Sequence, residues 1–385
     1  MNILLFGNAN SPLISNLAGQ LLQEFPNWRV DIISDVKLYR EEYRSNYTRV
    51  FELNSDMWYR KIKVLRIIGA AWQIKKLLIK ENISKGKYDV VHVLFVNPAY
   101  GIVAGLVRTM GRMLCLSVFG SEFYRTGKLE KFLIGRIASQ AQGVTAANRI
   151  TLHDFVSHYK LQNAQEFVQV FGLKQIEAIH KLDGSLRTVS RKLWGIEAED
   201  YVIAIGYNGS PQQNHLFILE QLRSVKLLKN RKCTLVLQMT MGGTRNYIAE
   251  VRRKASETGC NVLVITEFVS DDMLAHLRVS VDMILQLQTT DQLSAAMLEY
   301  IYTGSVLITG SWLPYEVMKS GEVMYYSVDS ISELASFLNS SSAQLELDQK
   351  SKGANRKFVE HLCSWEHVRK QWGEIYCNLI KSGTN

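Results

Sequence analysis

Two acids with seven residues between them, Asp291 and Glu299, stand where a loop passes into a helix in the stretch Thr290–Tyr300. Carboxylates in such a place accept hydrogen bonds from the hydroxyls of a sugar or a ribose. A helix start between them offers unpaired backbone N–H groups and the positive end of a dipole, which suit a diphosphate. Together these features describe a pocket for a nucleotide sugar. Glu299 as an ordinary solvated helix residue is the plainer reading, but its neighbours Met297, Leu298, Tyr300 and Ile301 are a poor setting for a surface acid. Asp291 follows an apolar run, where α/β ligand sites form.

Other loops carry small or polar residues where a strand should meet a helix. Ile205-Gly206-Tyr207-Asn208-Gly209-Ser210-Pro211 leads into Gln212–His215. Asn208, Ser210, Asn214 and His215 are neutral donors there, and a strand-to-helix turn with Asn214 as N-cap explains the same residues. Gly242 and Gly243 allow close backbone approach or simply a turn, and Arg245 behind them supplies charge. In the first half, Gly7 and Asn8 follow the opening strand, without a full Gly-x-Gly-x-x-Gly. Val118–Arg125 ends a strand in Gly120, Ser121, Glu122 and Arg125. The acid and arginine there can orient an acceptor hydroxyl or phosphate, or pair with each other.

These residues need elements to hold them. Short apolar runs at Asn2–Phe6, Val30–Ser34, Val90–Phe95, Met113–Val118 and Val168–Val170 read as strands, as do Val202–Gly206, Thr234–Gln238, Val262–Ile265, Met283–Leu285 and Val306–Ile308. Amphipathic helices are expected between them, among them Leu13–Glu24, Tyr59–Lys80, Ala99–Arg108, Leu129–Ala138, Leu216–Leu228 and Ser294–Tyr302. Such alternation implies βαβ units and parallel sheets. At 385 residues the chain fits two domains. The polar segment Lys181–Asp200 reads as their linker. A last helix, Ser364–Lys381, carries Trp365, Val368, Trp372, Ile375, Tyr376 and Leu379 at spacings of three and four. The expected fold is α/β, with two Rossmann-like domains facing a central cleft. Residues 1–190 form an acceptor- and membrane-facing domain, 191–362 a nucleotide-sugar domain, and 363–385 a helix returning to the first.

Val281–Leu285 leading into Asp291 and Glu299, then Tyr302-Thr303-Gly304-Ser305-Val306-Leu307-Ile308, resembles the donor signature of GT-B glycosyltransferases of the family 4 (group 1) type. That signature usually has two glutamates, so Asp291 is a shorter equivalent. Ser364–Tyr376 is similar to the family's closing helix. The pattern is met over residues 200–380, and in the first half only in outline.

The resemblance implies that Glu299 accepts from ribose hydroxyls and that Asp291 orients the transferred sugar. It also implies that amides near Leu293 and Ser294 take the distal phosphate. Phe268 occupies the place where the family meets the base. Phe119 and Glu122 stand where the family often has a histidine and an acid near the acceptor. The family's Arg and Lys pair for the diphosphate is missing from the loop after Ile205. The implied activity is hexosyl transfer from a nucleotide-diphosphate sugar to a lipid-linked or other glycan in bacterial surface polysaccharide assembly, such as O-antigen or capsule. It would proceed with retention and without a bound metal.

Residues 1–192 carry a net +12 (27 Lys and Arg against 15 Asp and Glu) and residues 193–385 a net −3 (18 against 21). The halves therefore meet different partners. The basic segment 58–87, with Trp58, Tyr59 and Trp72 among its cations, suits an anionic membrane surface. Pro98 divides the longest apolar stretch, Val90–Val107, into a strand and a helix, so no span is expected. Five scattered cysteines and eight histidines lack ligand spacing, so neither metal nor cofactor is expected, and a reducing compartment is. The expected location is cytoplasmic, peripheral on the inner face of the cell membrane. A nucleic-acid binder would need a recognition helix or aromatic-studded strands, which are missing. A nucleotide-sugar epimerase of GT-B-like fold is the enzyme alternative, needing donor but no acceptor.

Overall fold

In the computed structural model, which describes residues 1–53, 63–81, 83–182, 186–321, 323–340 and 346–382, the apolar runs become two parallel sheets. The chain divides into one unit of Met1–Gly172 with Trp365–Asn385 and another of Leu173–Ser364. Residues 58–62 of the basic segment lie outside the described residues.

The first unit's strands are β1 (Asn2–Gly7), β2 (Arg29–Ser34), β3 (Arg49–Glu52), β4 (Tyr88–Leu94), β5 (Gly111–Val118), β6 (Gly143–Ala146) and β7 (Gln165–Val168), in the order β3-β2-β1-β4-β5-β6-β7. Ile3, Leu4, Leu5 and Phe6 are all fully buried. A strand apolar on both faces needs helices on both. Leu4 and Phe6 pack with Ile74, Tyr100, Ile134 and Phe155 on one side. Ile3 and Leu5 pack with Leu17, Trp365, Val368 and Trp372 on the other.

The second sheet comprises β8 (Tyr201–Ile205), β9 (Cys233–Gln238), β10 (Asn261–Ile265), β11 (Met283–Gln286), β12 (Val306–Gly310) and β13 (Tyr326–Val328), ordered β10-β9-β8-β11-β12-β13. Strand order reverses between β1 and β4 in one sheet and between β8 and β11 in the other. Ligand crevices form outside the carboxyl ends of strands at such reversals.

The closing helix, Trp365–Ser382, buries its whole apolar stripe in the first unit. Tyr376 Oη lies 2.8 Å from His92 Nδ1, and His92 Nε2 lies 2.7 Å from Ser117 Oγ. His92 is thus a hydrogen-bonded core residue, its pKa pushed down to about 3 by burial.

Three expectations change. The polar segment read as a linker is largely docked on the second unit: Arg187–Leu193 is a helix and Arg191 is buried, donating to Asp282 Oδ2 at 2.7 Å. Its polarity suggested solvent, but the charge is met by an acid 91 residues away. The helix expected at Ala99–Arg108 is two short ones, Pro98–Ile102 and Ala104–Thr109. The helices Lys174–His180 and Gln349–Cys363 were not foreseen. Among the described residues no helix is long and apolar enough to cross a membrane, and all five cysteines are free.

Candidate functional site

In the second unit, the loops after β8, β9, β11 and β12 are tied together at the reversal. Asn214 Nδ2 donates to Leu287 O at 2.7 Å, Thr289 N to Gln212 O at 2.9 Å, and Trp312 Nε1 to Gln288 O at 2.9 Å. Gly209 N donates to Met241 O at 2.6 Å. A Cβ on Gly209 would stand 3.1 Å from Gly243 N, and one on Gly243 would stand 2.8 Å from Gly209 O. Glycine at both positions is what lets these two loops meet.

Asn208 and Ser210 turn inward to their own loop, Asn208 Oδ1 taking Ser210 N at 2.9 Å and Ser210 Oγ taking Gln212 N. Asn214 is no side-chain cap: its backbone is left-handed and its amide is spent on Leu287.

Asp291 lies in the loop ahead of the helix Ala295–Tyr302. Its Oδ2 accepts from Tyr315 Oη at 2.5 Å. Burial raises its pKa, while Tyr315 and the amides of Gln292 and Ser294 oppose the rise. Ser294 is the N-cap, accepting from Met297 N, and Leu293 precedes it half-buried.

Glu299 is buried, and its Oε2 accepts from Arg278 Nε at 2.8 Å. Arg278, itself buried, also donates to Tyr300 Oη at 2.8 Å and Gln238 Oε1 at 3.1 Å. Burial raises the Glu299 pKa and Arg278 opposes it. Neither Tyr315 nor Arg278 was singled out from the sequence. Arg278 follows the inward-facing Ala275 by three residues, a helical spacing that signals burial. Tyr315 carried no such signal.

Beneath these loops three side chains carry buried polar atoms without a well-formed hydrogen bond: His215 Nε2, the Gln286 amide beside Tyr315, and Gln288 Nε2 beside Asp291. Buried groups are nearly always paired, so a cluster of such atoms marks room for water or ligand. His215 Nδ1 is 3.2 Å from Tyr247 Oη, and burial pushes its pKa down to about 4, leaving a neutral ring. Gly242 and Arg245 are exposed, with Thr244 capping the helix Arg245–Ser256. Phe268 is exposed after β10, two strands from β8.

In the first unit, Gly7 ends β1 and Asn8 follows it, while Gly120–Arg125 follow β5, with β4 between them. Asn8 Oδ1 takes Asn10 N at 2.9 Å, and the buried Asn10 in turn holds the amides of Tyr39 and Arg40. Gly120 has φ +88° and opens the short helix Ser121–Tyr124. Glu122 points inward, its Oε1 accepting from Phe119 N at 2.8 Å while Oε2 has no protein partner. Burial raises its pKa, with the Phe119 amide opposing. Arg125 is exposed. Phe119 stacks on Phe171 at 5.4 Å and lies 6.3 Å from Phe95, a non-glycine residue at φ +68°. Among the described residues no cluster of His, Cys, Asp and Glu could hold a metal.

A family model described as "Glycosyl transferase 4-like" matches residues 2–151, the half in which the sequence motifs were weaker. No curated protein sequence matches the chain. Among solved structures, Anabaena HepE in complex with UDP aligns over 98% of this chain and 100% of its own, at 13% identity and TM-score 0.72. Sucrose-phosphate synthase from Thermosynechococcus elongatus aligns over 99% and 100%, at 13% identity and TM-score 0.73. A glycosyltransferase from Rickettsia africae aligns over 99% and 98%, at 16% identity and TM-score 0.70. The two Rossmann-like units are those of the GT-B fold, as expected from the sequence, and residues 2–151 are similar to a glycosyl transferase 4-like domain.

Proposed function

We propose that this GT4-like chain of GT-B fold moves a sugar from a nucleotide-diphosphate donor, held by its second unit, to a glycan acceptor. The observation that carries this reading is the β8–β11 reversal, where Asp291 stands ahead of a helix start, Glu299 lies one turn into that helix, and buried polar atoms with unused hydrogen-bonding capacity end the neighbouring strands. Glu299, set by Arg278, accepts from the ribose hydroxyls. Asp291, set by Tyr315, holds the hydroxyls of the transferred sugar. Amides at Leu293 and Ser294 take the distal phosphate, with Arg245 the nearby cation in place of the family's usual pair. Fixed donors aimed at a diphosphate leaving group stabilise its developing charge, each worth about 2.7–4 kcal/mol.

The finer reading follows the resemblance: a lipid-linked acceptor, surface polysaccharide such as O-antigen or capsule, retention of configuration, and work at the inner face of the membrane. The basic segment 58–87 is its membrane contact. The HepE structures include complexes with UDP, with UDP and glucose, and with UDP-glucose, which makes uridine nucleotides the first donors to try.

The test is a thermal-shift panel of UDP, GDP, ADP, CMP and dTDP. One nucleoside diphosphate at a hundred times its Kd stabilises the fold by about 2.7 kcal/mol. No response to any of the five ends the proposal. Incubation with the donor alone then separates transfer from epimerisation, which needs no acceptor.

A further inference from the structure

Cys233 and Cys260 share no motif spacing, yet the second sheet sets them side by side. β9 and β10 run parallel, with Leu237 opposite Val264, Leu235 opposite Val262 and Thr234 opposite Asn261. One step back along both strands, Cys233 faces Cys260. Side chains alternate across a strand, so both thiols fall on the face of those Leu–Val pairs, and all pack in one apolar cluster. Neighbouring strands lie about 4.7–4.9 Å apart, inside the roughly 4.4–6.8 Å between Cα atoms that a disulfide spans. The two thiols are in hydrogen-bonding contact, with Arg231 O, at 3.3 Å, the other acceptor within reach of Cys233. On the opposite face Asp200 Oδ2 accepts from Thr234 Oγ1 at 2.5 Å and from Asn261 Nδ2 at 3.1 Å, pinning the two strand entries together.

We propose that Cys233 and Cys260 are a reversible thiol–disulfide modification site that clamps the edge strand β10 to its sheet, with Cys260 attacking, Cys233 resolving and a low-molecular-weight disulfide as oxidant. Exposure divides the roles. Cys233 is 3% exposed, whereas Cys260 is half-buried at the entry of β10, so only Cys260 of the pair meets a reagent from solvent. It follows Gly259, at φ +79° and with open space around it, a turn with room to adjust as the sulfurs close.

The thiolate is the nucleophile. The Cys233 thiol holds the Cys260 pKa down to about 7; burial opposes this, the Thr258 hydroxyl assists, and Asp200 opposes. The same contact and burial push Cys233 up, with Asp200 adding to the rise and Arg231 opposing it. A reachable cysteine of low pKa beside a resolving partner is the arrangement of a redox-responsive pair. Cys115 and Cys363 are fully buried instead, and burial pushes both thiols up.

The Cys260 thiolate attacks one sulfur of the oxidant R–S–S–R, forming a mixed disulfide and releasing R–S⁻. Cys233 then gives up its proton and attacks Cys260 Sγ, closing the protein disulfide and expelling the second R–S⁻. The two cysteines lose two electrons and two protons, and the oxidant leaves as two R–SH. Excess R–SH drives both steps backwards, so the site follows the balance of thiol and disulfide around it. The bond closes a loop around the helix Arg245–Ser256. It lies one strand length, roughly 17 Å, from the β9 end that leads to Gly242 and Gly243, and so stands independent of the donor reading.

The experiment incubates the folded full chain with oxidised glutathione, alkylates the remaining thiols and maps disulfides by mass spectrometry without reduction. The wild type yields a peptide pair joining Cys233 to Cys260, and dithiothreitol separates it. The bond raises the melting temperature by about 5–10 °C, a gain lost on reduction. Cys233→Ala stops at a mixed disulfide of glutathione with Cys260, and Cys260→Ser leaves Cys233 unreacted. Alkylation of Cys260 by iodoacetamide has its midpoint at about pH 7 in the wild type. Cys233→Ala moves that midpoint up toward the ordinary thiol value of about 8.5.

Retention of both thiols by the folded wild type overturns the site. Glutathione left on wild-type Cys260, or a bond from Cys260 to Cys377 or to a second chain, overturns Cys233 as the resolving sulfur. A midpoint unmoved by Cys233→Ala refutes the contact between the thiols, and an unchanged melting temperature refutes the clamp. Disulfide mapping of the unmutated chain decides the pairing even where a variant is unstable.

Discussion

At the β8–β11 reversal the loops end in polar groups with hydrogen bonds still to give, among them Gln286, Gln288 and His215 beside Asp291. At the β1–β4 reversal the polar side chains are spent on the backbone of the loops, Asn8 on its own turn, Asn10 on the amides of Tyr39 and Arg40, and, one strand over, Glu122 on Phe119. There the surface offers Phe95 and Phe119 instead. One topology thus carries two chemistries. The sheet supplies the place for a site, and the loops decide whether that place grips a hydroxyl- and phosphate-rich ligand or presents apolar faces.

The comparison narrows to two buried glutamates: Glu299 is paired with Arg278, and Glu122 has an oxygen without a protein partner. The largest effect is expected at the pair. Glu299→Ala leaves Arg278 buried and uncompensated and costs about 3–5 kcal/mol of stability, read by denaturant titration. Activity at this position is better tested with Glu299→Gln, which keeps the shape and should lose nucleotide affinity along with transfer. Unchanged turnover in a folded Glu299→Gln protein would contradict the assigned role.

Next comes Asp291→Asn. By analogy with the loss of a fixed electrostatic partner, transfer falls about 10²–10³-fold in kcat. Under the proposed division of roles, in which this acid meets the sugar and not the nucleotide, UDP binding is unaffected. Loss of UDP binding would redraw the division between the two acids.

Glu122 gives a smaller effect with a definite sign. Its folded-state pKa is raised above the ordinary value of 4.5, so the folded state holds the proton more tightly. The contribution of Glu122 to stability is therefore greatest below pH 4.5 and is lost as pH rises through the raised folded value. Glu122→Gln removes the penalty, stabilising the protein by on the order of 1 kcal/mol at pH 7. The gain vanishes in acid, and melting curves at pH 4 and 7 check it. A destabilised Gln variant would mean that Glu122 is held ionised by a ligand or partner.

The smallest effect is at Phe95. Its left-handed backbone costs about 1 kcal/mol or more in a non-glycine residue. Phe95→Gly should hold or raise the melting temperature while raising KM for the acceptor and leaving that for the donor alone.

The sequence made the buried strands and the acid-bearing helix legible, because Ile3–Phe6 and Met283–Leu285 are apolar on both faces and Glu299 interrupts an apolar helix. Strands β3, β6 and β13 escaped, since Gly143-Val144-Thr145-Ala146 reads as a turn and the other two are short edges. The partners of the acids escaped for a different reason. Tyr315 is 24 residues from Asp291 and Arg278 is 21 from Glu299, and no periodicity links residues brought together only by the sheet. The linker reading failed on Arg191, whose charge looked solvated until Asp282 was placed against it.

The closing helix has one more consequence. Leu173 N donates to Cys363 O at 2.8 Å, so the second unit begins and ends at one doorway, an insert spliced into the first. On the ribosome the first sheet must wait, with Ile3, Leu5 and His92 uncovered, until Trp372 and Tyr376 emerge. The second unit meanwhile can reach its native state, so loss of the tail would strand half a protein and spare the other half.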